Sequence, residues 1–206
     1  GVNVKVVEKS KFPRFVIGES LIPRVMDNFA EADLLDCLHD MNFEKKYGAR
    51  FVRDKEICYF DFSEKYGEGW DWTWQVPRAD FDNALAQEIV RKGIDLEFET
   101  EVTNVVFDGS NSITTVKDVD GNEREIHAKF IIDSSGYGRV LPRMLDLEEP
   151  SSVTENSSVF THVDEVNRPE GTEGTVITFD ILETKVWIWV IAFSNGNTSL
   201  GVVGPT

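Results

Sequence analysis

The sequence contains few cysteines and histidines, and this scarcity excludes two classes of small domain. Of 206 residues, two are cysteine and three are histidine. Cys37 and Cys58 are too few and too far apart for a disulfide framework. No group of Cys and His residues has the spacing of zinc ligands. The sequence therefore predicts a reduced protein with no metal site.

Long apolar runs and net positive charge are also lacking. No run approaches the roughly 20 apolar residues that cross a bilayer, and no signal peptide opens the chain. The formal net charge is −16, which disfavours binding to nucleic acid or to an anionic membrane. We therefore expect a cytoplasmic protein without a membrane span or a nucleic-acid partner. A chain of this length can bury a sizeable core.

A short apolar strand followed by an acidic residue lies near the start of the chain. Val4, Val6 and Val7 predict the strand, and Glu8 stands at its end. In a dinucleotide-binding βαβ unit, an acidic residue at the end of the second strand accepts a hydrogen bond from a ribose hydroxyl. The alternative is a solvated charge at a strand end, and the local pattern leaves both open.

Three small or polar residues, Gly18, Glu19 and Ser20, precede a predicted helix that has Pro23 in its first turn. Such a triplet lets backbone N–H groups approach a flat ligand closely, because glycine lacks a Cβ atom. An ordinary helix cap is the alternative. The helix itself carries apolar residues at helical spacing up to Leu38, with a break predicted near Asp33, which would cap the second piece.

Three alternating tryptophans precede a second predicted helix. Trp70, Trp72 and Trp74 would share one face of a strand, either as a wall beside a ring-shaped ligand or as plain core packing. Arg78 opens the helix that follows, and its forked, permanently charged guanidinium suits a phosphate.

The remaining pattern predicts an α/β fold with two kinds of sheet. Asp-Gly turns at Gly109 and Gly121 separate alternating runs and predict a three-stranded meander. An apolar strand over residues 130–132 then ends at Asp133, and small residues including Gly136 follow. Ligands bind outside the carboxyl ends of such strands. After a polar linker at 151–158, four strands predict an antiparallel sheet.

The run from Phe12 to Arg24, FPRFVIGESLIPR, resembles the flavin-proximal loop of the flavin-dependent halogenase-like oxidoreductases, within the aromatic-hydroxylase and geranylgeranyl-reductase group. The resemblance implies a glutathione-reductase-type FAD-binding fold, a parallel sheet with a three-stranded meander, joined to an antiparallel-sheet substrate domain. It assigns residues 1–47 and 76–150 to the FAD-binding domain and residues 48–75 and 151–206 to the substrate domain, both incomplete. It implies FAD as cofactor, contacted by Glu8, Gly18, Glu19, Ser20, Arg78, Val102, Asp133 and Gly136.

The same resemblance raises halogenation as an alternative function. Lys46 stands where halogenases have the lysine that relays an oxidised halogen, although a surface lysine is the plainer interpretation. Trp187, Trp189 and Ile191 match the halogenase Trp-x-Trp-x-Ile-Pro motif. Its preceding glycine and its proline are replaced here by valine and alanine, which puts halogenation in doubt.

The leading hypothesis is an FAD-dependent oxidoreductase or monooxygenase that acts on a small organic substrate and takes electrons from a flavin reductase or NAD(P)H. A halogenase using Lys46, a geranylgeranyl-reductase-like double-bond reductase and a non-catalytic flavin-binding protein are the alternatives. The sequence begins at the second strand of the predicted βαβ unit, without the Gly-rich phosphate-binding turn. We therefore expect a fragment that purifies without flavin and is itself inactive.

Overall fold

The computed structural model describes residues 1–150, 152–153 and 155–206. The chain divides into two compact units. Unit 1 comprises Gly1–Arg14 and Ile89–Ser152, and unit 2 comprises Phe15–Glu88 and Val153–Thr206. The predicted linker at 151–158 includes Ser151 and Thr154, which lie outside the described residues.

The secondary structure of the described residues consists of α-helices, strands and two short 3-10 turns. The helices are α1 (Arg24–Glu31), α2 (Leu35–His39), α3 (Arg78–Arg91) and α4 (Val140–Met144). The strands are β1 (Lys5–Val7), β2 (Glu44–Lys46), β3 (Gly48–Arg53), β4 (Glu56–Asp61), β5 (Thr73–Gln75), β6 (Asp95–Glu97), β7 (Glu101–Asp108), β8 (Asn111–Lys117), β9 (Glu123–Ala128), β10 (Asn156–Asp164), β11 (Ile177–Glu183), β12 (Val186–Ala192) and β13 (Asn197–Pro205).

Unit 1 contains a parallel strand pair and the predicted meander. β1 and β6 pair in parallel, with Val6 opposite Leu96. β7, β8 and β9 form a three-stranded antiparallel sheet, so the prediction from the Asp-Gly turns is confirmed. The predicted strand at 130–132 is wrong. No described strand pairs with these residues, and the Phe130 and Ile132 side chains are 82% and 80% exposed.

Unit 2 is built on a six-stranded sheet in the order β10-β13-β12-β11-β3-β4. The pairs are antiparallel except for β11 and β3, which run parallel, so the sheet is mixed. Aromatic rings line one face, where Phe51 and Phe179 stack at 4.9 Å between centroids. This sheet joins the hairpin of β3 and β4 to strands that follow about 100 residues later in the sequence.

The helices of unit 2 pack on a core that includes one of the alternating tryptophans. The predicted break between α1 and α2 is present, but Leu34 rather than Asp33 is the N-cap of α2, because Asp33 adopts a φ of +54°. Trp74 is only 2% exposed and packs with Met26 and Phe81, which favours the core-packing interpretation. Among the described residues, no helix combines the length and apolar character needed to span a membrane.

Candidate functional site: the segment at Gly18–Ser20

The segment formed by Gly18, Glu19 and Ser20 lies extended along the short strand β5. Ser20 forms an antiparallel bridge with Gln75. The Val76 N–H donates to the carbonyl oxygen of Glu19 at 2.8 Å, and the Leu21 N–H donates to that of Trp74 at 3.1 Å. These backbone bonds on both sides of Ser20 hold the segment in one register.

Arg78 fixes the start of this segment from the first turn of α3. Its Nε and Nη2 atoms donate to the two carboxylate oxygens of Asp82, at 2.8 and 3.0 Å. Its Nη1 atom donates to the carbonyl oxygens of Ile17 and Gly18, at 3.0 and 3.4 Å. These bonds use four of the five guanidinium N–H groups. Arg78 therefore positions the segment, and its predicted contact with FAD remains a prediction that one N–H group could satisfy.

Gly18 has the conformation and the close approach that require glycine. Its φ is +97°, and a Cβ atom built on it would lie 2.9 Å from Nη1 of Arg78. A larger residue would therefore strain the backbone and displace the guanidinium.

Lys46 is a buried lysine, not a surface residue. It ends β2, is 3% exposed, and donates from Nζ to Oγ of Ser20 at 2.8 Å and to the carbonyl oxygen of Leu21 at 2.5 Å. The Nζ atom also lies 5.3 Å from the centroid of the Phe62 ring. Burial lowers the pKa of Lys46 to about 8, because a desolvated ammonium is disfavoured. The neutral fraction of this amine near pH 8 is therefore far larger than that of an ordinary lysine, which suits a lysine that takes part in chemistry.

Glu19 is buried and has a partner that sequence reasoning did not assign to the site. Its side chain is 1% exposed, and Oε1 lies 2.6 Å from Nε2 of His162 on β10. The family resemblance predicts a cofactor contact for Glu19, whereas the structure directs its carboxylate to His162. No local signal could have revealed this pair, because the two residues are 143 positions apart.

In unit 1, Glu8 lies at the carboxyl end of β1, as the pattern predicts for a ribose-binding residue. Its Oε1 atom accepts a hydrogen bond from the Ser10 N–H at 2.7 Å, and Oε2 lies 3.7 Å from Nη2 of Arg14. The Glu8 carbonyl oxygen accepts from the Thr100 N–H at 3.0 Å, two residues before Val102 on β7. Glu8 and the start of β7 therefore lie side by side.

Asp133 and Gly136 occupy the turn that leads into α4. The carboxylate of Asp133 accepts from the backbone N–H groups of Ser135 at 2.8 Å and Leu141 at 3.0 Å. Hydrogen bonds from the Ser135 side chain, then from its backbone and from Leu141, lower the pKa of Asp133. Gly136 begins a 3-10 turn with a φ of +55°. Asp133 thus stabilises its own turn, and its contact with a cofactor remains a prediction.

The residues present fit FAD best at Glu8, whose carboxylate can accept hydrogen bonds from a ribose hydroxyl. A carboxylate offers about four acceptor positions, and Glu8 keeps capacity beyond its bond to Ser10. It stands at the carboxyl end of a parallel strand, where a ribose is bound in nucleotide-binding folds.

Comparison with known proteins agrees with this fit. The chain is 55% identical to a flavoprotein/dehydrogenase from Cytophaga hutchinsonii, with a TM-score of 0.94 over 98% of this chain and 50% of that one. It is 28% identical to the flavin-dependent halogenase CmlS, with a TM-score of 0.91 over 100% of this chain and 38% of that one. A curated relative, the 1H-pyrrole-2-carbonyl-[peptidyl-carrier protein] chlorinase of Pseudomonas fluorescens, is 27% identical over 98% of this chain.

The chain spans about half the length of the curated relatives that it matches, 50% in the case of the chlorinase. The family model described as "FAD binding domain" matches residues 1–199, almost the whole sequence. The chain therefore belongs to the FAD binding domain family.

Proposed function

We propose that the full-length protein is an FAD-dependent oxidoreductase of the halogenase-like group that acts on a small organic substrate. The observation that carries the proposal is the buried contact between Lys46 and Ser20, which joins an amine of lowered pKa to the segment assigned to the flavin. The similarity to a flavoprotein/dehydrogenase and to flavin-dependent halogenases supports the same class of activity.

In this proposal each residue has a defined task. FAD, when bound, supplies the redox chemistry. Glu8 accepts hydrogen bonds from a ribose hydroxyl, and Val102 contacts the adenine through its backbone. The backbone of Gly18 to Ser20 approaches the isoalloxazine ring, and Arg78 keeps that backbone in place. Asp133 and Gly136 bring the turn before α4 close to the cofactor.

The proposed division of labour places FAD on residues 1–47 and 76–150 and the substrate on residues 48–75 and 151–206. A flavin reductase or NAD(P)H supplies the electrons. The aromatic face of the six-stranded sheet, which includes Phe51 and Phe179, supports an apolar wall for the substrate.

The experiment is to express the complete reading frame and record its flavin absorbance, beside a Glu8→Leu variant. We expect one FAD per protein, a loss of at least tenfold in affinity in the variant, and oxygen uptake with reduced flavin or NAD(P)H. A full-length protein that binds FAD but shows no uptake under any of these conditions would support a non-catalytic flavin-binding protein. A colourless full-length protein would reject the proposal.

Halogenation is the second candidate, because Lys46 is buried beside the flavin segment and does not lie on the surface. Trp187, Trp189 and Ile191 keep three positions of the halogenase motif, whereas Val186 and Ala192 replace its glycine and proline. The test is product formation with and without chloride or bromide. We expect halide-dependent product to disappear in Lys46→Met and to persist in Lys45→Met, whose lysine lies 4.6 Å above the Trp72 ring. Halide-independent oxidation in the wild type would leave the general oxidoreductase proposal standing.

A further inference from the structure

The pair formed by Glu19 and His162 is a buried polar contact that the proposed function does not use. The Glu19 side chain is 1% exposed and that of His162 is 27% exposed. A buried carboxylate without a hydrogen-bond donor is strongly unfavourable. The 2.6 Å contact with Nε2 of His162 supplies that donor.

The histidine ring is held in a fixed orientation by aromatic neighbours. Phe15 packs against it with 5.0 Å between centroids at 71°, and Phe193 does so at 5.3 Å and 70°. Both are edge contacts, which leave the Nε2 corner directed at Glu19. The six-stranded sheet therefore presents a donor in a defined place.

Lys46 and His162 contact the same segment through neighbouring residues. In an extended segment, successive side chains point to opposite sides. Glu19 extends to His162, whereas Ser20 accepts the hydrogen bond of Lys46. The carbonyl oxygen of Leu21, one residue further, is the second acceptor for the lysine. A shift of the backbone at Glu19 would therefore move both oxygens that receive the amine.

We propose that His162 is a positioning residue that, through Glu19, holds Ser20 and Leu21 where their oxygens bind the amine of Lys46. The relevance to catalysis rests on the proposed function, since it requires that Lys46 works in the reaction. The positioning itself is a property of this chain and is measurable without a cofactor.

The test measures the pH midpoint at which Lys46 reacts with an amine-modifying anhydride, read by mass spectrometry of the peptide that contains it. Among the described residues, Lys46 has no ionisable partner; Glu44, on the same strand, is paired with Arg168. Burial lowers the pKa of Lys46 to about 8, so we expect the wild-type midpoint near that value, with the oxygens of Ser20 and Leu21 as the acceptors of the charged amine. We expect His162→Phe, which keeps a ring but removes the donor, to lower the midpoint further, because the buried amine loses acceptors that favour its charged form.

His162→Gln keeps an N–H donor near the place of Nε2, and we expect it to restore most of the wild-type midpoint. Phe160→Leu is the matched control. It lies on the same strand as His162 and loses ring contacts with Phe15 and Trp189. If Phe160→Leu lowers the melting temperature as much as His162→Phe does and also shifts the midpoint equally, the proposal is overturned. General loosening of the fold would then explain the shift in both variants.

If His162→Phe fails to fold, a second pair of variants tests the positioning role. Glu19→Gln keeps an acceptor for His162 and is expected to keep the midpoint near 8. Glu19→Leu removes the acceptor and is expected to lower the midpoint. Equal midpoints in the two variants would refute the positioning role. A full-length protein that binds FAD but forms no product would refute the proposed function alone, because the midpoint is read on Lys46 directly.

Discussion

The indole ring of Trp189 lies across the backbone of Gly201 on the neighbouring strand. A Cβ atom on Gly201 would lie 2.1 Å from Cζ2 of the ring. The two residues are register partners between β12 and β13, and the indole N–H donates to Oγ of Ser199 at 3.1 Å. The ring is therefore fixed at its polar end and occupies the space where a side chain at 201 would stand.

We expect Gly201→Ala to lower the free energy of unfolding by about 1 to 3 kcal/mol, since the indole must leave its position in a packed sheet. Gly204→Ala on the same strand is the control, because its Cβ atom would make an ordinary contact of 3.6 Å with Val186. Urea unfolding followed by tryptophan fluorescence measures both. Equal losses in the two variants would show that the sheet adjusts to the added methyl group without cost from the ring.

Arg78→Lys tests whether the forked guanidinium holds the segment at Gly18. A lysine cannot make the paired bonds to Asp82 and also reach the carbonyl oxygens of Ile17 and Gly18. We expect a loss of about 1 to 3 kcal/mol in the free energy of unfolding and weaker FAD binding by the full-length protein. The control is Arg24→Lys, whose exposed ion pair with Asp27 is worth about 0.5 kcal/mol or less. No difference between the two variants would contradict the role given to Arg78.

Gly18→Ala probes the same contact from its other side. We expect a loss of about 1 to 3 kcal/mol, because an alanine at a φ of +97° is strained and its Cβ atom displaces Arg78. Gly69 has a φ of +140° with no atom near its Cβ position, so Gly69→Ala carries backbone strain alone. Thermal unfolding of both variants in the wild-type and Arg78→Lys backgrounds isolates the contact. We expect the Gly18 effect to shrink in the Arg78→Lys background, and an unchanged effect there would argue against coupling.

Local patterns were sufficient where the turn chemistry and the strand alternation agreed. The meander is an example: Gly109 and Gly121 adopt φ values of +61° and +85°, and Asp118 accepts from the N–H groups of Asp120 and Asn122. These interactions join residues at most four positions apart, so they can be predicted from the local sequence. The same holds for α3, whose start at Arg78 follows a proline.

Patterns failed where a structure depends on distant partners. The apolar run at 130–132 reads as a buried strand, but a strand requires a neighbour, and none of the described strands pairs with it. The parallel contact between β3 and β11 joins residues that no local signal relates. The partner of Glu19 was missed for the same reason. Only the family resemblance identifies Lys46 as a candidate. Its burial results from tertiary packing, and its charged neighbours in the sequence do not indicate a buried position.

The lowered pKa of Lys46 predicts a pH-dependent cost in stability. In the unfolded chain the amine has its usual pKa of 10.5, and in the folded protein the value is about 8. Between these values the unfolded chain binds more protons, so the contribution of this amine to the free energy of unfolding rises with pH. Its unfavourable effect is complete below pH 8 and is relieved as the pH approaches 10.5.

We therefore expect Lys46→Met to increase the free energy of unfolding, relative to wild type, by about 2 kcal/mol more at pH 7 than at pH 10. Urea unfolding at both pH values measures this difference, and Lys45→Met, with an exposed amine on the same strand, should show none. A difference that stays constant for Lys46→Met would mean that the buried amine keeps its proton throughout, and it would remove the chemical argument for this lysine.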